Sequence, residues 1–185
     1  MTLLQVMPED RPETVRLRTD DADLIRGQLL RIGVRLARWH AARRVPADAE
    51  DAVILHAYRH HIAHIRAEGG HWSVDVARMT EAPADAVPDV TSRTEHRHDE
   101  DLVRFVVAGA GCFYLHVGGL VHAVLCTPGD LLSVPARTAH WFDAGARPRY
   151  TAIRFLADRT GGEPHLLPDG IAARFPSFDD LLATS

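Results

Sequence analysis

The sequence predicts a mainly β domain, an antiparallel barrel or sandwich with helices packed outside it. From about Val87 to Phe155, short apolar segments alternate with tight-turn residues at regular spacing. In the first 72 residues, apolar side chains instead recur at the spacing of a helical face. The 185 residues contain no repeat and no linker. We therefore expect a single domain with a helical part over about 1–72, a barrel over about 85–157 and a tail over 158–185.

The N-terminal part begins with one short strand, because residues 3–6 are mostly apolar and precede Pro8. The cluster Thr19-Asp20-Asp21 offers N-cap side chains for a helix that follows it. The apolar residues after this cluster recur at helical spacing, and Gly33 is a natural C-cap. The pattern therefore predicts a first helix that starts after Asp21 and ends before Gly33.

A second helix is expected to begin near Ala47, directly after Pro46, since proline is favoured at a helix start. Acidic residues in its first turn suit the positive end of the helix dipole; these are Asp48, Glu50 and Asp51. An apolar stripe continues from there to Gly69-Gly70, where glycine ends the helix.

Short apolar segments bounded by turn residues predict six strands in the barrel region. They are Leu102 to Val107, Cys112 to Val117, Leu120 to Cys126, Leu131 to Val134, His140 to Phe142 and Tyr150 to Phe155. Turn pairs such as Gly118-Gly119 and Pro128-Gly129 separate them. Repeated prolines then predict an irregular tail, weakly helical at Phe178 to Leu182.

Composition excludes several classes of protein. The chain has 25 acidic and 21 basic residues and a net charge of −4, so it lacks the excess of basic residues that is typical of nucleic-acid-binding proteins. No apolar run approaches the roughly 20 residues that span a bilayer, and the N-terminus lacks a signal peptide. We therefore expect a cytoplasmic protein that binds neither nucleic acid nor membrane. The chain has no lysine for Schiff-base chemistry but has 12 histidines, which points toward metal chemistry.

Three histidines form the strongest chemical pattern. His96 and His98 are two residues apart, which places both imidazoles on one face of a strand. His140 begins another predicted strand, and a barrel can bring it to the same end of the interior. Imidazole binds iron, nickel, copper, zinc and cobalt alike. For an isolated His-x-His, the alternative is an exposed turn beside the acidic residues 99–101.

Longer motifs surround these histidines along the chain. In order they are Glu95-His96-Arg97-His98, Val103-Arg104-Phe105, Gly109-Ala110-Gly111, Pro128-Gly129-Asp130, Val134-Pro135-Ala136, His140-Trp141-Phe142-Asp143 and Thr151-Ala152-Ile153-Arg154-Phe155. Nearly the whole chain thereby resembles the acireductone dioxygenase family of the cupin superfamily. The resemblance implies a cupin (jelly-roll) β-barrel with one non-haem metal, Fe(II) or Ni(II), per chain. It also implies a monomer whose partners are O₂ and a small-molecule substrate, the enediol acireductone of methionine salvage.

One metal ligand of the family is missing. Family members read His-x-His-x-x-x-Glu, and their Glu is the fourth protein ligand, but the same spacing from His98 reaches Leu102 here. Asp101 is one residue off and points to the opposite face of a strand. Glu100 has the right parity but lies one pleat away. We therefore expect a three-histidine site, with Glu100 as a substitute ligand only if its loop is distorted.

The resemblance also assigns pocket residues. Arg104, Phe142 and Arg154 match pocket positions, and an arginine is a good bidentate clamp for a carboxylate or enediolate. The alternative for both arginines is a salt bridge at the barrel rim. Ser92 stands where the family has an apolar aromatic residue. Arg137 replaces a family glycine, which predicts an added charge near the metal.

Other candidate clusters favour structural roles. His56, His60 and His64 share one helical face and could hold a second metal, but a solvated face is the favoured interpretation. The two cysteines, Cys112 and Cys126, cannot form a disulfide framework. Both lie on predicted strands, where a buried and inert thiol is expected.

Three hypotheses of function follow. Leu102 leaves the site one negative charge poorer, which favours an anionic incoming ligand. The first hypothesis is therefore a dioxygenase that resembles the three-histidine thiol dioxygenases and oxidises cysteine or another aminothiol in specialised metabolism. The second is an acireductone dioxygenase that tolerates the substitution. The third is a non-catalytic cupin that only binds a metal or a small molecule.

Overall fold

The computed structural model describes residues 1–39, 46, 49–68, 73–81, 92–157 and 163–183. The strands are β1 Leu3–Pro8, β2 Leu17–Thr19, β3 Arg35–Arg38, β4 Ser73–Thr80, β5 His96–Arg97, β6 Leu102–Gly109, β7 Gly111–Val117, β8 Leu120–Cys126, β9 Asp130–Val134, β10 Ala139–Asp143, β11 Arg149–Leu156 and β12 His165–Leu166. The helices are α1 Ala22–Leu30, α2 Asp51–Ala57, α3 Arg59–Ala67 and α4 Phe178–Ala183, with a 3₁₀ turn at Ala172–Arg174.

Two antiparallel sheets make up the barrel. One has seven strands in the order β12-β5-β10-β7-β8-β1-β2, and the other has five in the order β3-β9-β6-β11-β4. Alternation along β7 explains the two faces of the larger sheet. Phe113 and Leu115 point inward into the barrel core, whereas Cys112 and Tyr114 pack on the outer face. The mainly β fold that the sequence predicts is confirmed.

Both sheets are covered on the outside. Helices α2 and α3 place Ile54, Tyr58, Ile62 and Ile65 against the outer face of the five-stranded sheet. The tail, including α4, packs Phe175, Phe178 and Leu181 against the outer face of the seven-stranded sheet. Helices outside a β-barrel are therefore confirmed. None of the helices in the described ranges has the length and apolarity needed to cross a membrane.

The N-terminal part contains more strand than the sequence pattern predicts. The six strands predicted between residues 102 and 155 are present with ends shifted by at most two residues. However, β2 and β3 lie within the part expected to be mainly helical, and β4 follows it in a segment for which no strand was predicted. Together with the predicted strand β1, they pair into both sheets. Pairing with neighbouring strands determines these elements. Apolar and polar residues alternate weakly along β3, and β2 has only three residues, but β3 pairs with the apolar strand β9 and β2 pairs with the apolar strand β1. A boundary at residues 72–85 therefore does not separate the helices from the sheets.

The helix boundaries follow local chemistry. Asp21 is the N-cap of α1, and its carboxylate accepts a hydrogen bond of 2.8 Å from the backbone N–H of Leu24. Gly33 has a φ of 77° in the turn after this helix, a conformation that favours glycine. The second predicted helix starts at Asp51 and is divided by a turn at Tyr58. Its predicted start near Ala47 and its predicted end at residues 69–70 lie outside the described residues.

Candidate metal centre

The three predicted histidines converge at one end of the barrel. Strands β5 and β10 pair so that His96 lies directly opposite His140, and His98 follows immediately after β5. The ring centroids of His96 and His140 are 4.4 Å apart, and that of His98 lies 5.1 Å and 5.5 Å from them. One ring nitrogen of each histidine lies within 4.8 Å of the other two. The expected convergence of the three imidazoles is confirmed.

Backbone carbonyls orient two of the rings. Nδ1 of His96 lies 2.7 Å from the carbonyl oxygen of Thr94, and Nδ1 of His140 lies 2.8 Å from that of Thr138. In both cases the N–H must be on Nδ1, so Nε2 carries the free lone pair. Nε2 of His140 is buried and has no hydrogen-bond partner within the described part of the chain. This arrangement fits a metal ion, because it leaves lone pairs facing one point.

Electrostatics keep His140 in the form that binds metal. Burial, followed by the nearby His96, His98 and Arg104, lowers the pKa of His140 to about 3, although the hydrogen bond to Thr138 opposes the shift. The imidazole is therefore neutral at pH 7. Metal–nitrogen bonds are about 2.0–2.1 Å long. Nitrogens within 4.8 Å of one another are therefore close to the spacing that one ion requires.

A cavity of about 380 Å³ opens over the histidines. It is lined by Ala77, Arg78, Met79, Ser92, His96, His98, Leu102, Arg104, Phe113, His140, Phe142, Tyr150 and Arg154. The three histidines line it, and so do all five predicted pocket residues, which are Ser92, Leu102, Arg104, Phe142 and Arg154. No carboxylate is among these lining residues, while three arginines are. The cavity therefore favours an anionic occupant.

Leu102 occupies the position of the missing ligand as an apolar wall residue. It lies at the start of β6 and is 8% exposed. Glu100 does not replace it, because Glu100 lines a separate small crevice beside His98 and Arg104 rather than the main cavity. The carboxylate of Asp101 instead accepts a hydrogen bond of 2.8 Å from the backbone N–H of Ala136. The prediction of Glu100 as a substitute ligand is therefore not supported by its position.

The two pocket arginines have different partners. Nε and Nη2 of Arg154 lie 2.7 Å and 2.5 Å from the two carboxylate oxygens of Asp75, a bidentate salt bridge. Arg104 donates to the backbone carbonyl of Val103 at 3.0 Å and has no carboxylate within 4.0 Å in the described residues. Burial lowers the pKa of Arg104 to about 10, so its guanidinium is still charged at pH 7. The salt-bridge alternative therefore applies to Arg154, and Arg104 carries the uncompensated charge.

Several lining residues were missed from the sequence. Ala77, Arg78 and Met79 lie on β4, a strand that the pattern did not predict. Tyr150 lies on a predicted strand but was assigned no role. Strand parity could have identified it, because residues 150 and 154 point to the same face as long as alternation holds.

Arg137 does not bring charge to the metal site, which corrects the expectation. Its φ of 64° explains why glycine suits this turn, and the side chain is 80% exposed. Its Nε lies 3.4 Å from the carboxylate of Asp99 on the surface. Its contribution to the site is through the backbone, since its N–H donates to the carbonyl oxygen of His98 at 2.7 Å.

The other candidate clusters are structural. His56, His60 and His64 are exposed on α2 and α3 and are not grouped as metal ligands among the described residues. Cys112 and Cys126 are free and buried. Burial raises the pKa of both thiols above the usual value, which keeps them protonated and unreactive. Both structural interpretations agree with the sequence prediction.

Comparisons with known proteins point to one family. The profile of the ARD/ARD' family matches residues 9–164. The chain is 44% identical to acireductone dioxygenase 1 of Nocardia farcinica, with 98% of this chain and 100% of the relative covered. It is also 44% identical to the acireductone dioxygenase of Parvibaculum lavamentivorans, with 97% and 98% covered. A solved structure of the acireductone dioxygenase of Bacillus anthracis, with a cadmium ion in its active centre, shares the fold. Its TM-score is 0.69 at 24% identity, over 92% of this chain and 95% of that one.

Proposed function

The chain belongs to the ARD/ARD' family and is a metal-dependent dioxygenase, and we propose that it cleaves the enediol acireductone with O₂. The observation that carries this proposal is the convergence of His96, His98 and His140 on one point at the floor of a cavity. Curated relatives that are 44% identical over nearly the whole chain are named for this substrate.

The three histidines are the proposed metal ligands, and the expected ion is one Fe(II) or Ni(II) per chain. A neutral imidazole with Nδ1–H bonded to a carbonyl is a well-oriented ligand for either ion. A bound divalent ion supplies open coordination positions and Lewis acidity toward an enediolate oxygen. With three protein ligands, up to three positions are left for water, O₂ and substrate.

The pocket residues have complementary roles in this proposal. Arg104 attracts the anionic enediolate and binds one of its oxygens, because its buried guanidinium stays charged at pH 7 and forms no salt bridge within the described residues. Phe113 and Phe142, with ring centroids 4.6 Å apart, form an apolar wall that excludes water. Arg154 is held in the cavity lining by its bidentate pair with Asp75.

One observation favours a second candidate function. Leu102 provides no negative charge, and the cavity has no carboxylate among its described lining residues. A site with less negative charge at the metal favours an anionic ligand such as a thiolate. The second candidate is therefore oxidation of a small aminothiol such as cysteine, with its carboxylate at Arg104.

The two functions are distinguished by O₂ uptake of the iron- and nickel-loaded protein with acireductone and with cysteine. We expect acireductone to be consumed with O₂ and cysteine to be left unchanged. Oxidation of cysteine without turnover of acireductone would replace the proposed function with the second candidate. Failure with both substrates would contradict both functions.

Leu102 gives a second test of the site. Leu102→Glu should tighten divalent-metal binding, because it returns a negative charge beside the histidines. Leu102→Met is the matched control, since it keeps the apolar character and similar volume. Metal affinities measured by competition with a chelator should rank the glutamate variant above the native protein, and the control equal to it. Equal affinity of all three proteins would show that residue 102 does not face the metal.

We also propose that the protein works as a monomer on its small-molecule substrate. Light scattering of the metal-loaded protein should give a mass near 20.5 kDa.

A further inference from the structure

The hydroxyl group of Tyr150 is a buried polar atom without a hydrogen-bond partner in the described parts of the chain. The residue is 5% exposed, yet it lines the cavity above the three histidines. A buried hydroxyl with no partner destabilises the free protein, because it has lost its bonds to water. Such groups are rare in native structures, and this one belongs to a residue of the cavity lining.

Packing holds the Tyr150 ring in one place. Its centroid lies 4.7 Å from that of Phe142, which in turn packs against Phe113. Gly111 makes room for this stack, because a Cβ there would lie 2.2 Å from the Phe142 ring and 3.3 Å from the Tyr150 ring. The hydroxyl is therefore positioned by rigid neighbours rather than by a hydrogen bond.

The environment of Tyr150 favours an anion. Arg104 lines the same cavity, and its charge acts electrostatically on both Tyr150 and His140. Burial raises the pKa of Tyr150 and outweighs the opposing effect of Arg104, so the phenol keeps its proton and is a hydrogen-bond donor. Two side chains that carry donors, one charged and one neutral, thus line a cavity whose described lining has no carboxylate to accept from them.

We propose that Tyr150 is a specificity-determining residue whose hydroxyl, together with the guanidinium of Arg104, binds an oxyanion of the substrate. The ligand class is a small organic anion, a carboxylate or an enediolate. The identity of that anion as acireductone rests on the proposed function, whereas the anion subsite itself does not. A site built to donate hydrogen bonds discriminates strongly against ligands that lack the acceptor.

Tyr114 provides a matched comparison within the same barrel. It is equally buried, but its hydroxyl donates a hydrogen bond of 2.8 Å to the carbonyl oxygen of Pro176 on the outer face of the sheet. Tyr114→Phe therefore breaks an existing bond, whereas Tyr150→Phe removes an oxygen that has no protein partner in the described residues. We expect the first change to lower the melting temperature and the second to leave it equal or higher.

The anion subsite is tested with acetate as the probe. The metal-loaded protein, prepared with diamagnetic zinc, is titrated with acetate while the Nε–H signal of Arg104 is followed by NMR. We expect a saturable shift in the native protein and in Tyr114→Phe. In Tyr150→Phe the apparent Kd should rise about tenfold or more, the usual effect of losing a hydrogen bond to a charged group. No shift of Arg104, or equal Kd values in all three proteins, would overturn the proposal.

A second titration separates this proposal from the proposed function. Acireductone is added to the nickel-loaded protein without O₂, so that binding is measured by calorimetry without turnover. Weaker binding to Tyr150→Phe than to Tyr114→Phe supports Tyr150 as a substrate contact. If the native protein binds acetate as expected but not acireductone, the anion subsite stands and the proposed substrate is wrong. Tight binding of acireductone that is identical in both variants would overturn the role of Tyr150.

Discussion

The inside of the barrel and the outer face under the C-terminal tail treat polar groups in opposite ways. Inside, Nε2 of His140 and the hydroxyl of Tyr150 are buried without a hydrogen-bond partner in the described residues. Under the tail, the Tyr114 hydroxyl donates to Pro176, and the Asp143 carboxylate accepts from the backbone N–H of Phe178 at 2.8 Å. The fold thus satisfies its polar groups where it only needs stability.

This difference indicates that the cavity gives up some stability for ligand binding. An unsatisfied buried polar atom costs about 1–3 kcal/mol, and at His140 and Tyr150 a bound ligand would offset that cost. The tail, in contrast, adds apolar burial and the hydrogen bonds that Tyr114 and Asp143 make to it. Changes inside the cavity should therefore alter binding with little loss of stability, and changes under the tail should do the reverse.

The largest expected effect is loss of metal binding in His140→Ala. Structural zinc sites bind with about 10–16 kcal/mol through four ligands, so one imidazole contributes roughly 2.5–4 kcal/mol, or about a hundredfold to a thousandfold in affinity. The melting temperature of the metal-free protein should change little. His64→Ala, an exposed histidine, is the control and should bind metal as the native protein does. Full metal occupancy in His140→Ala, measured by elemental analysis, would show that the site lies elsewhere.

The reverse result is expected for Phe178→Ala under the tail. Phe178 is 8% exposed in the cluster with Tyr114 and Trp141, and truncating a buried phenylalanine costs about 3 kcal/mol of unfolding free energy. Urea unfolding measures this change, and chelator competition should show unaltered metal affinity. Leu182→Ala, at a position 46% exposed, should cost less than about 0.5 kcal/mol. A metal affinity that falls together with stability would contradict the separation of the two regions.

A smaller effect distinguishes the two arginines within the cavity. Arg104→Met should weaken substrate binding by about 1.5–3 kcal/mol, because a charged hydrogen bond to the anion is lost. Arg154→Met should affect binding less, since Arg154 is already paired with Asp75. Substrate titrations without O₂ compare the two variants at equal metal content. Equal losses in both would mean that both arginines contact the substrate, and no loss in either would remove Arg104 from the site.

The sequence predicted the barrel strands and the shared face of His96 and His98 well because both depend on local patterns. Alternation and turn residues identified all six strands between residues 102 and 155, and the spacing of His96 and His98 indicated a shared face. Strand β4 was missed, and with it the cavity residues Ala77 and Met79, because its half-buried residues alternate weakly. Pairing with β11 specifies that strand, and pairing is not visible in a local window.

The partners of the two pocket arginines could not be predicted for the same reason. Arg104 and Arg154 are directly opposite each other on β6 and β11, and the sequence alone treats them alike. Asp75, which distinguishes them, lies on the missed strand β4 directly opposite Arg154. The sequence also predicted Arg137 as a charge near the metal, and this prediction is wrong. The left-handed backbone at Arg137 depends on the loop as a whole, which a local pattern does not show.

The smallest expected effect is a pH dependence of the unfolding free energy that arises from His116, which lies where the two regions meet. Its Nδ1 lies 2.6 Å from a carboxylate oxygen of Glu95, whose other oxygen accepts from the backbone N–H of Ile171 in the tail. Its Nε2 lies 2.7 Å from Glu9. Burial lowers the pKa of His116, but the hydrogen bonds to Glu9 and Glu95 outweigh it and the pKa is raised overall.

The sign of the pH effect follows from this raised pKa. A protonated His116 stabilises the folded state fully below the unfolded pKa of about 6.5, and this contribution is lost as pH rises through the higher folded value. The native protein should therefore exceed His116→Gln in unfolding free energy at pH 6, and the difference should shrink as pH rises above about 6.5. Urea unfolding measures both proteins across this pH range. If the difference in unfolding free energy grows with pH instead, His116 is neutral in the folded protein, and its charge does not stabilise the contact between Glu95 and the tail.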